Sequence, residues 1–145
     1  MRWRPLLALV SVAAFAGCAA PAGGSSSPGG ERTVTLTAHW SKFSTTSFGH
    51  EGGSRIVVPV GTTVRFVVRN DDPIAHELIV GDQAVQDRHE KGTEAHHGER
   101  PGEVSMPAGA TVETTYRFDR PGTVLFGCHL PGHWAYGMRG TVAVV

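Results

Sequence analysis

The stretch that decides the fold is TTVRFVVRNDDPIAHELIV, residues Thr62–Val80. In its first half Val64, Phe66 and Val68 alternate with mostly polar neighbours, which is the period of a strand with one buried face. The turn signal NDDP follows, and the short apolar run HELIV then begins at His76. The stretch therefore predicts two strands joined by a turn, with a histidine at the start of the second strand.

The same pattern of short apolar runs and turns continues on both sides of this stretch. The signals PVG, PAGA and DRPG separate further runs, and no long segment has a helical period. We therefore expect an all-β domain, a two-sheet Greek-key β-sandwich of about eight strands. Strands are predicted at Val34–Ala38, Arg55–Pro59, Thr62–Asn70, His76–Val80, Glu103–Met106, Thr111–Phe118, Thr123–Gly127 and Thr141–Val145.

One connection, Gly81–Gly102, is too long for a simple turn. Its first part, DQAVQDRHEK, is predicted to form a short helix with Asp82 as the N-cap. The remainder contains His96 and His97 beside acidic residues, and together with His89 they offer donors for a second metal. We favour the simpler interpretation of a solvated polar loop.

The first residues of the chain are typical of an export signal. Residues 1–17 carry two arginines, an apolar run and then small residues, a pattern that is removed from the mature protein. Two cleavage sites compete: one follows Ala16, and the other lies in FAGC, which resembles a bacterial lipobox and makes Cys18 the lipidated residue. We favour the lipobox, which predicts an exported lipoprotein, anchored to a membrane on the periplasmic or outer cell-surface side. Residues 18–31 would then be a flexible tether rich in Gly, Ser and Pro, and residues 32–145 the folded domain.

Composition and charge narrow the classes of function. The chain has 145 residues, enough for one domain, and 13 Lys and Arg balance 13 Asp and Glu. This balance gives no basic excess, so nucleic-acid binding is not expected. Removing Arg2 and Arg4 with the leader leaves 11 basic residues against 13 acidic ones. Cys128 is the only cysteine apart from Cys18, and metal ligation would explain a single thiol in an oxidising compartment.

The segment GCHLPGHWAYGMRG, near the end of the chain, collects soft metal donors. Cys128, His133 and Met138 are spaced C-x4-H-x4-M between two predicted strands. The Pro-Gly pair supplies a bend that brings His133 back beside Cys128, and a second turn through AYG returns Met138. A thiolate, an imidazole and a weak thioether around one point suit copper in both oxidation states, whereas zinc prefers four strong ligands.

A type 1 copper centre requires a second histidine. His129 adjoins the cysteine, but neighbouring residues of an extended strand point to opposite faces. His76 is the better candidate, provided that its strand lies beside the strand that ends at Cys128. His129 is then expected at the surface, or hydrogen-bonded close to the site.

Residues 32–145 resemble the cupredoxins, the plastocyanin and azurin family of blue copper proteins. The motifs that carry the resemblance are VPVGTTVRFVVRNDDPIAHELIV and GCHLPGHWAYGMRGTVAVV. It implies one type 1 copper with His76, Cys128 and His133 as equatorial ligands and Met138 as the axial ligand. It also implies one-electron transfer in which the metal alternates between Cu(I) and Cu(II).

Multicopper oxidases share the C-x4-H-x4-M spacing but place histidines on both sides of the cysteine, where they bind a trinuclear copper cluster. Here Gly127 precedes Cys128, so oxidase activity is not expected. The resemblance therefore implies an electron carrier and not an enzyme. Two alternatives remain open: copper storage or delivery, and an accessory electron-transfer subunit of a copper-containing oxidase.

Trp134 and Tyr136 flank His133 in the sequence. They either cap the core at the loop or form an apolar docking face around the exposed edge of the His133 ring. In the second case they would contact the redox proteins that donate and accept the electron. The protein itself is expected to be a monomer.

Overall fold

The computed structural model describes residues 29–45, 55–92 and 100–145. The export signal, Cys18 and most of the tether lie outside the described residues, as do His96 and His97. Within the described ranges the chain forms nine strands and one helix: β1 (Glu31–His39), β2 (Lys42–Thr45), β3 (Arg55–Val58), β4 (Thr62–Asn70), β5 (His76–Gly81), α1 (Gln83–Lys91), β6 (Glu103–Met106), β7 (Thr111–Phe118), β8 (Gly122–Gly127) and β9 (Arg139–Val144).

The strands form two sheets that enclose one core. The first sheet has the order β2-β1-β4-β7, and the second has the order β3-β9-β8-β5-β6. β1 pairs with β4 and β3 pairs with β9 in parallel, whereas the other pairs are antiparallel. The predicted two-sheet all-β sandwich is thus confirmed.

Strand β2 is additional to the eight predicted strands. It joins β1 through a two-residue turn, Trp40–Ser41, in which both residues have φ of 51°. Turns of this type usually contain Asn-Gly or a similar pair, so Trp-Ser gives no sequence signal for a hairpin. The strand is held by Phe43, which is buried and packs edge-on against Phe126 of the other sheet at 5.9 Å between ring centroids.

The core consists of the inward-facing residues of both sheets, which alternate with outward-facing residues along strands such as β4. Val64, Phe66 and Val68 of β4 are fully buried, as their alternation predicts, and they belong to one continuous cluster with Leu36, which lies beside Val68 in the β1–β4 pairing. Burying a side chain of this size stabilises the fold by about 1.5–3 kcal/mol. The two sheets are therefore held together mainly by apolar packing.

Helix α1 packs against β5 and β8 of the second sheet. The Asp82 carboxylate accepts a hydrogen bond from the Val85 N–H at 3.0 Å, which confirms the predicted helix and its N-cap. The helix approaches β5 closely because Gly81 has no side chain; a Cβ there would lie 2.6 Å from the Val85 Cβ. None of the described residues belongs to a helix long and apolar enough to cross a membrane.

Strand pairing brings the two halves of the candidate site to one end of the second sheet. β5 begins at His76 and β8 ends at Gly127, and the two strands pair antiparallel with Ile79 opposite Gly127. Antiparallel pairing places the start of one strand beside the end of its neighbour. Cys128 therefore follows β8 at the position where His76 enters β5, which is the condition that the sequence left open.

Candidate metal centre

Three metal-binding side chains converge at this end of the sandwich. His76 Nδ1 lies 3.2 Å from His133 Nδ1, and Cys128 Sγ lies 3.3 Å from the same His133 nitrogen. All three ligand atoms lie within 4.8 Å of one another. Two imidazole nitrogens and one sulfur are the equatorial donors of a type 1 copper site. The structure thus brings together three of the four ligands predicted from the sequence, and their chemistry fits copper.

The surroundings of these side chains set their protonation before metal binds. Burial raises the pKa of the Cys128 thiol to about 11, although backbone N–H groups of Leu130 and Glu77 act in the opposite direction. Burial and the neighbouring His76 lower the pKa of His133, so its imidazole is neutral at neutral pH. To hold copper, His133 would offer the lone pair of its neutral ring, and the Cys128 thiol would have to lose its proton.

The loop that carries the ligands is built from consecutive turns. Gly132 and Gly137 have φ of +84° and +90°, a region that favours glycine. They provide the two bends predicted from the Pro-Gly pair and from AYG. The backbone N–H groups of the loop donate to carbonyls within it: His133 to Leu130, Tyr136 to Gly132, Gly137 to Trp134 and Met138 to His133, at 2.9–3.0 Å.

Met138 is fully buried and closes this loop. Its carbonyl accepts a hydrogen bond from the Cys128 N–H at 3.0 Å, and its own N–H donates to the His133 carbonyl at 2.9 Å. The residue is therefore fixed beside both loop ligands. Its role as the axial ligand stays a prediction.

Asp72 is a residue of the site that the sequence reasoning missed. Its side chain is 7% exposed, and Oδ2 lies 2.8 Å from His76 Nε2. The N–H groups of Trp40 and Ser41 donate to the same carboxylate at 2.8 and 3.1 Å. Burial alone would raise the pKa of Asp72, but the hydrogen bonds from Ser41, Trp40 and His76 outweigh it and the pKa is lowered. The carboxylate is therefore ionised behind His76.

Asn70, the last residue of β4, shapes the turn between β4 and β5. Its side-chain oxygen accepts the Asp72 N–H at 3.0 Å, and its amide donates to the carbonyls of Ile74, Met106 and Pro107 at 2.8–3.1 Å. The amide is fully buried and ties the turn to β6. The signal NDDP predicted this turn, but it did not indicate which hydrogen bonds the Asn70 and Asp72 side chains would form.

His129 lies outside the ligand cluster and is buried, not exposed. Its Nε2 lies 2.7 Å from Gln86 Oε1 and its Nδ1 lies 2.8 Å from Glu90 Oε2, both on α1. Its backbone N–H donates to the Glu77 carboxylate at 2.7 Å. The residue after the cysteine therefore connects the site to the helix, in agreement with the expectation of a hydrogen-bonding role.

The aromatic residues predicted to form a docking face differ in exposure. Tyr136 is 76% exposed, whereas Trp134 is half-buried. One reason is that the Trp134 indole stacks on the His129 ring at 4.6 Å between centroids and an interplanar angle of 17°. The Arg139 guanidinium lies 5.3 Å from the centre of the same indole. Trp134 thus caps the loop, and docking stays a prediction for both residues.

The second metal site considered for the 81–102 connection is not seen in the described part of the chain. There, the only cluster of three or more metal-binding His, Cys, Asp or Glu side chains is His76, Cys128 and His133. His89 is buried, with its Nε2 3.3 Å from Glu103 Oε1. His96 and His97 lie outside the described residues, so their part in metal binding stays open.

Comparison with known proteins agrees with this site. The family of copper binding proteins described as the plastocyanin/azurin family matches residues 47–145. The copper-resistant cuproprotein CopI of Rubrivivax gelatinosus is 39% identical over 93 residues, which cover 61% of this chain and 56% of that protein. CopI of Pseudomonas aeruginosa is 27% identical over 121 residues, covering 61% of this chain and 67% of that protein. The match thus spans little more than half of the first relative.

A solved structure shows the same fold. Auracyanin A, a blue copper protein from the bacterium Chloroflexus aurantiacus, has a TM-score of 0.59 and 20% identity, over 79% of this chain and 99% of that chain. At this identity the likeness concerns the fold alone. The family match covers all four predicted ligands, and three of them meet in space. The chain therefore belongs to the plastocyanin/azurin family of copper-binding proteins, the cupredoxins.

Proposed function

We propose that the domain is a type 1 copper protein that carries single electrons between redox proteins and catalyses no reaction of its own. The observation that carries this proposal is the convergence of His76, Cys128 and His133 on one point within 4.8 Å. Copper bound there would supply one-electron chemistry between Cu(I) and Cu(II).

The chain's own contribution is to hold these side chains still. Cys128 is fully buried, and its N–H is bonded to the Met138 carbonyl. His76 is 1% exposed and is held through Nε2 by Asp72. Side chains fixed in this way move little when the charge of the metal changes, which favours rapid electron exchange.

The surface at the same end supports docking of a redox partner. His133 is half-buried, so the edge of its ring offers a short route to the surface. Trp40 and Tyr136 are 80% and 76% exposed, and the Lys42 ammonium donates to the Tyr136 carbonyl. Exposed apolar groups near a metal ligand are typical of contact sites between proteins.

The experiment that tests the type 1 site is the absorption spectrum of the Cu(II) protein. We expect an intense blue thiolate-to-copper band, which Cys128→Ser should remove because a hydroxyl cannot replace the thiolate. Ser44→Ala is the control: Ser44 is exposed on β2, its hydroxyl faces the Thr37 carbonyl, and it lies outside the ligand cluster, so its loss should leave the band intact. A band that persists in Cys128→Ser would show that the ligand set is wrong.

Copper handling is a second candidate function, and it is favoured by the names of the relatives. The curated proteins that match are described as copper-resistant cuproproteins. If the protein stores or delivers copper, it should pass its copper to a chelator or an acceptor protein faster than it exchanges electrons with a redox protein. An electron carrier should instead retain its copper through repeated reduction and oxidation by a redox protein. Copper content measured before and after such cycling separates the two functions.

We also propose export and membrane anchoring through Cys18. The support is the sequence of residues 1–18, in which the apolar run ends in FAGC. Mass spectrometry of the mature protein should find a lipidated cysteine at the N-terminus. A mature chain that begins at Gly17 would show cleavage after Ala16 instead.

A further inference from the structure

Asp72 lies between the metal centre and the tip of the β1–β2 hairpin. One carboxylate oxygen, Oδ2, is 2.8 Å from His76 Nε2 and 3.1 Å from the Ser41 nitrogen. The other, Oδ1, is 2.8 Å from the Trp40 nitrogen and 3.7 Å from His39 Nδ1. Both oxygens of this buried carboxylate thus accept backbone N–H groups, and each also lies near a histidine ring nitrogen.

The contact with Asp72 decides which nitrogen of His76 faces the ligand cluster. An imidazole that binds a metal through one nitrogen carries its N–H on the other, and the Asp72 oxygens already act as acceptors toward the Trp40 and Ser41 N–H groups. This pairing assigns the N–H to Nε2 and leaves the Nδ1 lone pair on the side of Cys128 and His133. A metal-binding histidine oriented in this way by a carboxylate is also a stronger donor.

The hairpin tip gives a second reason to regard the carboxylate position as specified. Trp40 and Ser41 both have φ of 51°, a left-handed conformation that non-glycine residues rarely adopt. This conformation directs two successive N–H groups at Asp72. Strained backbone persists only where its surroundings enforce it, and here the hydrogen bonds converge on a single side chain.

We propose that Asp72 is a positioning residue for the copper site: it fixes His76 with Nδ1 toward the metal and, through its negative charge, stabilises Cu(II) relative to Cu(I). This inference rests on the proposed type 1 site and adds a determinant of its reduction potential. Cu(II) carries one more positive charge than Cu(I), so a buried anion bonded to a ligand favours the oxidised form. Asp72 should therefore lower the potential.

The test compares Asp72→Asn with Asp71→Asn in the copper protein. Asp71 carries the same charge one position away, but its carboxylate pairs with Arg69 at 2.6 Å. Removing it controls for net charge. Asp72→Asn should weaken Cu(II) binding about tenfold or more, as loss of a partner behind a metal ligand commonly does, while Cu(I) binding changes less. A tenfold preferential loss corresponds to a rise of about 59 mV in potential.

A purely structural role of Asp72 predicts a different result. The apoprotein would then lose thermal stability in Asp72→Asn, but the potential would match that of Asp71→Asn. Equal potentials in the two variants would overturn the inference, while the blue band of the wild-type protein would leave the type 1 site standing. Absence of the blue band from the wild-type Cu(II) protein would overturn the proposed type 1 site itself.

A measurement on the unmodified protein keeps the inference testable if the variant does not fold. Reduced Cu(I) protein is diamagnetic, so ¹⁵N NMR can show which His76 nitrogen bears hydrogen. We expect a slowly exchanging hydrogen on Nε2, because this atom is bonded to Asp72 in a buried position. A hydrogen on Nδ1, or fast exchange at Nε2, would contradict the proposed role.

Discussion

Gly127 lies directly against the indole ring of Trp134. A Cβ at position 127 would be 2.3 Å from the ring atom Cζ3 and 2.4 Å from Cε3. The tryptophan that caps the ligand loop therefore requires glycine before Cys128. This packing gives a physical reason for the absence of a histidine at this position, where multicopper oxidases have one.

Gly127→Ala should destabilise the domain. The new methyl group displaces the indole or the strand, and overpacking of this kind costs about 1–3 kcal/mol. Urea unfolding of the apoprotein measures the change. Gly92→Ala is the control, because a Cβ there meets its nearest atom at 3.7 Å, and it should alter stability by no more than about 0.5 kcal/mol. Equal stability of the two variants would show that the Trp134 contact is not restrictive.

Gln86 and Gln83 provide a matched pair on one helix. Gln86 is 1% exposed; its amide donates to the carbonyls of Ile79, Gly81 and Leu125, and its oxygen faces His129 Nε2. Gln86→Leu leaves buried polar groups without partners, so we expect a loss of about 1–3 kcal/mol in unfolding free energy.

The control for this prediction is Gln83→Leu, which removes an exposed amide bonded to Asp87. Its effect should stay within about 0.5 kcal/mol. Thermal unfolding of both variants measures the two losses of stability. A Gln86 variant as stable as the Gln83 variant would mean that the buried amide contributes little.

Copper binding should release a proton from Cys128. Its pKa of about 11 lies above neutral pH, so the thiol is protonated in the apoprotein and must become a thiolate to bind. His133 contributes no proton at neutral pH, because its lowered pKa keeps the ring neutral. The apparent copper affinity should therefore rise by about tenfold per pH unit until the pH approaches the thiol pKa.

Calorimetry of copper binding in buffers of different ionisation enthalpy counts this proton. The count at neutral pH should fall by about one in Cys128→Ser. An unchanged count would show that the thiol is already ionised or does not bind the metal.

Met138→Leu should raise the reduction potential while preserving the blue band. Leucine has a similar volume but no donor atom, and an axial donor stabilises the more highly charged Cu(II). Met106→Leu is the control: Met106 is equally buried and lies opposite His76 in the β5–β6 register. Redox titration of both variants identifies the axial thioether. A shift of the potential in the Met106 variant alone would mean that Met106, and not Met138, is the axial donor.

The sequence was sufficient to predict the sandwich and the ligand cluster because both depend on local patterns. The alternation of Val64, Phe66 and Val68 has a strand period, and the spacing of Cys128 and His133 fits one loop. The approach of His76 followed from one inference about strand pairing, which the β5–β8 register confirms.

The groups around the ligands could not be predicted in this way. Asp72 meets Trp40 and Ser41 across 32 and 31 positions of sequence, through a hairpin whose turn residues carry no turn signal. His129 is buried because α1 packs over the end of β8 and presents Gln86 and Glu90, and because the Trp134 indole stacks on its ring. Such contacts arise from tertiary packing, which no window of neighbouring residues contains.

The backbone hydrogen bonds of the ligand loop close within it, from Leu130 to Met138, and the Cys128 N–H donates to the Met138 carbonyl; the Lys42 ammonium of β2 adds one bond from outside, to the Tyr136 carbonyl. The backbone path of the loop is therefore largely set by its own turns, while the sheets fix its ends and bury Met138. Grafted onto another antiparallel pair that ends in glycine, it should deliver a thiol and an imidazole in the same arrangement. The host would need to provide the second histidine, an anion behind it, a donor for the Tyr136 carbonyl and an apolar core to bury Met138.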